Sequence, residues 1–265
     1  VELLTREGEI AIAKRIEEGL SQVQASLGNF PWSIELLLEE YELHKAGKKR
    51  LAEVVVGFND VEEPVEEVPA AEEVADAAED ADDDEESGDD AAEEAAPTGP
   101  DPEEVARRMQ VLADGYAKFK KSHAKNGPDN KAVAKLRAEL AETFVTLKLP
   151  LPLTDTLVRK QREVMGEIKD HERRVLHLAT NVARMPRKDF IRAWEGNQVN
   201  LEWVDEVLKR KQKWSSALRD VKDQIVSEQQ ATIAIEQGMH LDLADIREIG
   251  RQMAYGEAKA RKAKK

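Results

Sequence analysis

The sequence predicts an all-α protein, an irregular helical bundle carrying a long disordered acidic insertion. Three observations carry that expectation. Ala, Glu, Lys, Leu and Arg dominate, with 5% aromatic and 35% charged residues, a balance typical of helical chains rather than sandwiches or barrels. Apolar residues recur at steps of three and four along most of the chain, the spacing of one helix face. The acidic charge is also concentrated: residues 60–96 hold 19 Asp and Glu and no Lys or Arg, so a net charge of −14 conceals a basic remainder.

The elements follow in order. Thr5 stands as a plausible N-cap, although Gly8 occupies the place where a capping box wants Glu or Gln. Ile12, Ile16, Leu20, Val23 and Leu27 then mark an amphipathic helix. Pro31 opens a second helix with Ile34, Leu37, Leu38 and Tyr41 on one side, ended near Gly47, and a short third element runs from about Lys49 to Phe58. From residue 59 to 100 the chain is too polar and too charged to offset the entropy of ordering, and is read as a disordered linker.

Asp101 and Pro102 restart order as N-cap and first helical residue, followed by Val105, Met109, Leu112, Tyr116 and Phe119. Beyond Asn126-Gly127-Pro128 a further helix carries Val133, Leu136, Leu140, Phe144 and Leu147 up to the break at Leu149-Pro150-Leu151-Pro152. Thr154 is expected to cap a long helix through Leu157, Val164, Ile168, Val175, Leu178 and Val182, stopped at Met185-Pro186. Short helices around Phe190 to Trp194 and Trp203 to Leu208 come next. A long one with Trp214, Leu218, Val221 and Ile225, ended by Gly238, and another from Asp242 to Met253 complete the chain. The expected divisions are 1–58, 59–100, 101–240 and 241–265.

Most chemistry is excluded or unsupported. Cysteine is absent, so disulfides and thiolate sites are out, and no apolar run approaches a membrane span. A soluble, cytoplasmic chain with no membrane contact is expected, and the opening Val1-Glu2-Leu3-Leu4-Thr5 reads as an excerpt from a longer protein. His171-Glu172 invites comparison with the HExxH metal helix, but Val175 stands where the second histidine belongs. There is no phosphate-binding glycine loop, no nucleophile elbow, and no EF-hand spacing in the acidic tract. The protein is read as no enzyme, with no cofactor and no metal.

Two basic clusters remain. Lys48, Lys49 and Arg50 precede a short element where side-chain charge and terminal amides could meet a phosphate, or could form a solvated turn. Lys259, Arg261, Lys262, Lys264 and Lys265 form a stripe suited to nucleic acid or to a protein partner. The acidic tract could repel nucleic acid or occupy a basic groove, or be a passive insertion.

Two stretches resemble one family. Val1-Glu2-Leu3-Leu4-Thr5-Arg6-Glu7-Gly8-Glu9, continuing through Ile12-Ala13-Lys14-Arg15-Ile16-Glu17-Glu18-Gly19, resembles the end of region 1.2 of primary sigma factors of bacterial RNA polymerase. Gly256-Glu257-Ala258-Lys259-Ala260-Arg261-Lys262-Ala263-Lys264-Lys265 is similar to the approach to region 2.1 of the same family. The stretch between them is similar in architecture to that family's non-conserved region. Gly8 departs from the Glu many relatives carry there.

The resemblance implies a part of a promoter-recognition subunit that binds core polymerase and helps to open DNA. It also implies contact between the non-conserved region and the β′ subunit. Arg6 and Lys14 would then lie close to DNA, and most promoter-reading segments would lie outside this chain. The fragment is expected to be monomeric. The alternative from another class is a helical scaffold that binds only protein, while a helical-bundle enzyme would need convergent carboxylates and histidines that the spacing does not supply.

Overall fold

A computed structural model of the chain describes residues 6–60, 99–128 and 130–263. The expected disordered tract, apart from its first two and last two residues, lies outside the described residues, as do Thr5, Lys264 and Lys265. The elements are α1 (Arg6–Gly28), α2 (Pro31–Lys45), β1 (Gly57–Phe58), α3 (Pro102–Asn126), α4 (Lys131–Val145), β2 (Leu147–Lys148) and α5 (Leu151–His177). They continue through α6 (Arg187–Trp194), α7 (Trp203–Leu208), α8 (Ser215–Asp220), α9 (Lys222–Met239) and α10 (Leu243–Ala263). The described residues form an all-α protein in which the only sheet is one antiparallel pair, Gly57 opposite Lys148 and Phe58 opposite Leu147.

Local chemistry explains most boundaries. The Asp101 carboxylate accepts the Glu103 N–H at 3.0 Å and Pro102 fills the first helical position of α3, which stops at Gly127 with φ 78°. The Asn130 side chain accepts the Ala132 N–H at 2.8 Å to start α4. Elsewhere the structure departs from the pattern. The stretch 49–58 is a single 3-10 turn, Leu51–Glu53, followed by β1, and Val54 and Val55 between the two are buried in the largest apolar cluster. α5 starts at Leu151, with Pro150 as its cap and Pro152 inside the first turn, where a missing N–H costs nothing. Thr154 therefore caps nothing, and its hydroxyl donates to the Pro150 carbonyl at 3.3 Å.

α5 passes at His177 directly into a π-helical turn, Leu178–Val182, so the expected long helix continues to just before Met185-Pro186 with a widened last turn. The expected helix from Trp214 to Gly238 is two elements, α8 and α9, and it ends at His240 in the left-handed region at φ 55°, not at Gly238. α10 runs without interruption past Met253 to Ala263.

α5 is the spine of three apolar clusters. Its first turns, through Leu153, Leu157 and Val158, join the largest core with Leu27, Leu37, Val105, Leu112, Phe119 and Phe144. Its middle, Val164 and Ile168, packs with Phe30, Leu241, Ile246 and Ile249. Its end, Val175, joins a third cluster built on Phe190, Trp194, Trp203, Val207 and Leu218. At 27 residues α5 is about 40 Å long and contributes to all three clusters.

The most extensive helix pairing joins the two ends of the described chain, α1 and α10. A Cβ at Gly19 would fall 2.7 Å from the Ala260 nitrogen and 2.8 Å from the Gly256 carbonyl oxygen, and one at Gly256 would fall 2.8 Å from the Gly19 oxygen. The two backbones therefore touch, which only glycine at both positions permits.

Candidate nucleic-acid interface

α1 and α10 run antiparallel: the Lys259 ammonium meets Glu18 at 2.7 Å and the Gln22 side-chain amide donates to Gln252 at 3.3 Å. Extended by one turn, that register puts Lys14 level with Arg261 and Lys262, and all three are exposed. Arg6, also exposed, opens α1 two turns further out. Lys259 is occupied by Glu18, whose carboxyl it holds below the usual range by a hydrogen bond and by charge. Of the stripe expected at this end, Arg261 and Lys262 remain available.

The second cluster lies in the turn after α2. Gly47 adopts φ 71°, the Lys48 N–H returns to the Leu43 carbonyl at 3.0 Å, and the His44 ring meets the Lys49 carbonyl at 3.0 Å. The Arg50 N–H donates to the Glu53 carboxylate at 3.0 Å. Lys49 is half-buried and ion-paired with Glu40, whereas Lys48 and Arg50 are exposed. Only two of the three cations thus face solvent.

The first turns of α5 join the two clusters. A groove of about 440 Å³ runs between Lys49, Glu53, Pro150, Pro152 and Thr156. Another of about 490 Å³ is lined by Ile16, Glu17, Leu20, Asn59, Lys148 and Leu151. A third of about 460 Å³ is lined by Leu20, Leu151, Asp155, Arg159, Arg162 and Arg261. Leu20 and Leu151 line both of the last two, so the grooves adjoin in a belt around the start of α5.

Two apolar side chains stand in the belt in spite of solvent, Leu20 at 50% exposure and Leu151 at 68%. Arg162 is held by Glu257 at 2.6 Å, while Lys148 and Arg159 are exposed. Around this apolar centre the charges lining the grooves balance, Lys49, Lys148, Arg159, Arg162 and Arg261 standing against Glu17, Glu40, Glu53, Asp155 and Glu257.

Lys148 and Arg159 escaped the sequence reading. Their signal, basic residues at β2 and on the polar face of α5, is ordinary taken singly; only tertiary packing sets Arg159 beside Arg261 and Lys148 in the adjoining groove. No group of three or more His, Asp or Glu that could hold a metal exists among the described residues. His171 meets Glu228 at 2.6 Å, Arg174 meets the same carboxylate at 3.1 Å, and Glu172 pairs separately with Arg247. No helix among the described residues is long and apolar enough to cross a membrane.

Fold and belt together define an α-helical scaffold in which exposed cations of α1 and α10, Lys14 with Arg261 and Lys262, come together from the two ends of the described chain. Residues 30–236 match the sigma-70 non-essential region, and the chain belongs to the sigma-70 family. It is 28% identical over 274 residues to "RNA polymerase sigma factor RpoD" of Neisseria gonorrhoeae, a match that takes in all of this chain and 43% of that relative's length. The chain thus spans less than half of the curated relative it matches.

Proposed function

We propose that the chain is the central scaffold of a primary sigma factor, a non-enzymatic, cytoplasmic subunit acting with core RNA polymerase in transcription initiation. In this reading residues 1–58 and 241–265 are the flanks adjoining promoter DNA, 59–100 is a linker, and 101–240 holds the flanks in place and meets the β′ subunit. The fragment by itself is a monomer without promoter preference. The observation that carries the reading is the antiparallel contact of α1 with α10, since the two stretches that resemble sigma regions 1.2 and 2.1 are packed glycine against glycine. The belt of Arg6, Lys14, Lys48, Arg50, Lys148, Arg159, Arg261 and Lys262 then lies along one phosphate backbone, with Lys49 and Lys259 behind it.

The test uses the full-length parent. Lys48→Glu, Arg50→Glu and Arg159→Glu together should weaken open-complex formation and reduce the steepness of its salt dependence by about 2–3 in log–log slope, since each phosphate contact contributes about 0.9. An unchanged slope removes the DNA role of the belt. A second reading, a protein-binding scaffold, is favoured by exposed Leu20 and Leu151 alone. It requires that full-length parent fail to be retained by core polymerase in a pull-down.

A further inference from the structure

The turn between α7 and α8 concentrates charge as no other described segment does. Lys209, Arg210, Lys211 and Lys213 place four cations within five residues, all exposed. None of the four makes an ion pair among the described residues. Several cations on helix faces elsewhere are matched by a carboxylate one turn away, as in Arg107 with Glu104, Arg173 with Asp170 and Arg251 with Glu248. The surplus extends through the surrounding lobe, where residues 184–213 hold eight Lys or Arg against five Asp or Glu, in a chain of net charge −14.

The turn is also fixed in shape. The Arg210 and Lys211 N–H groups donate to the Val207 and Leu208 carbonyls, each at 3.1 Å. Lys211 sits in the left-handed region at φ 48°, which costs roughly 1 kcal/mol for a residue with a Cβ. The Gln212 N–H then donates to the Ser215 hydroxyl at 2.9 Å, the Ser215 N–H returns to the Gln212 carbonyl at 3.0 Å, and the Gln212 amide donates to the Arg210 carbonyl at 3.2 Å. On either side, Leu208 and Trp214 pack against the Trp203 cluster. The charges are therefore displayed from a rigid mount.

We propose that this turn is a second contact for the phosphate backbone of duplex nucleic acid, anchored at the opposite end of α5 from the belt. Its composition distinguishes nucleic acid from an acidic protein. The two large apolar residues that bracket it point inward, so the turn presents charge with no apolar anchor. A protein interface draws its energy from buried aromatic or aliphatic anchors, whereas phosphate contacts need only correctly spaced cations. The inference rests on the reading that the parent works against promoter DNA, and it adds a contact that neither flank supplies.

The test compares the 265-residue chain with a variant carrying Lys209→Gln, Arg210→Gln, Lys211→Asn and Lys213→Gln, Asn being chosen because it accepts the left-handed region. Binding to a fluorescent duplex is followed across a salt series. The variant should lose about 2–3 from the log–log salt slope and bind about tenfold more weakly at low salt. Lys209→Gln with Lys213→Gln, which leaves the strained residue untouched, should lose about half as much slope, so a misfolded quadruple variant does not end the test.

A belt variant, Lys48→Gln with Arg50→Gln and Arg159→Gln, runs in parallel. If the belt variant alone loses slope, the turn proposal fails and the belt reading stands; if the turn variants alone do, the reverse holds. Wild-type affinity and slope in both turn variants, or no duplex binding by the wild type, overturns the inference. So does polyglutamate retention that the turn substitutions abolish while duplex binding is unchanged, since that assigns the turn to an acidic protein.

Discussion

The α1–α10 layer and the lobe around Trp203 hold together by opposite means. In the layer, two segments more than two hundred residues apart approach until their backbones touch, and the missing side chains of Gly19 and Gly256 make the contact possible. In the lobe, Phe190 and Trp194 stack at 5.5 Å and Trp203 stands edge-on to both, at 5.8 and 4.8 Å, within a stretch of 14 residues. The layer cannot accept an added atom, and the lobe cannot lose a ring. The layer binds distant parts of the sequence into one face, while the lobe is nearly self-contained and reaches the rest mainly through α5 and α9.

Removing a ring is the larger perturbation. Trp203 is 1% exposed, and its indole N–H donates to the Ala193 carbonyl at 2.7 Å. Trp203→Ala should cost about 4 kcal/mol, read by denaturant unfolding, through a cavity and the loss of a buried hydrogen bond. Hydrogen exchange should quicken through α6, α7 and α8 while α1 and α10 stay protected. Equal loss of protection in α1 would show that the two regions are one cooperative unit and would end the contrast.

Adding an atom should break the other side. Gly19→Ala puts a methyl group against the α10 backbone, which has no flexible side chain to yield, and should cost about 3 kcal/mol. Exchange should quicken in α1 and α10 first, with the Trp203 lobe unaffected, the reverse of the ring deletion. A stability loss below about 0.5 kcal/mol would mean the helices separate freely and the layer is loose. A third substitution probes the link between regions. Gln229, 1% exposed, donates to the Asn197 carbonyl at 3.1 Å and the Asn200 carbonyl at 2.8 Å, tying α9 to the loop before α7. Gln229→Ala should cost about 2 kcal/mol and loosen that loop in exchange measurements without disturbing the layer.

The same contrast explains what the sequence could reveal. The core face of α3 was legible because burial there follows helical periodicity, as Val105, Met109, Leu112, Tyr116 and Phe119 do without exception, whereas Leu20 of the face expected for α1 and Val182 of the face expected after α5 are about half exposed. The start of α5 was misread because Thr154 has the composition of a cap while Pro150 and Pro152 look like breakers, although proline is harmless in a first turn. β1 and β2 were invisible, since two residues carry no alternation and their pairing closes a gap of nearly ninety residues. Of the belt, the cations of both flanks were readable as clusters. That Lys49 and Lys259 are taken up by Glu40 and Glu18 was not, because those carboxylates arrive from another turn or another helix.

The smallest expected effect concerns acid, and it tests whether the junction between α3 and the end of α9 behaves like either region. His123 and His240 meet edge-on at 5.2 Å, with Phe119 beside both. Burial lowers the pKa of each, and for His240 the neighbouring His123 and Lys120 add to the lowering while Glu35 opposes it. A histidine whose folded pKa is depressed binds its proton more readily when unfolded. Stability is therefore complete above about pH 6.5 and falls as pH drops from there through the folded values.

Melting should shift down between neutral pH and the mildly acidic range, before the carboxylates titrate. His240→Asn, compatible with the left-handed backbone at that position, should flatten the shift by removing one of the paired charges. Because both rings are only partly buried, water screens the repulsion and the change should be smaller than for Gln229→Ala. An acid shift of the same size in the variant would show that His240 does not carry the pH dependence.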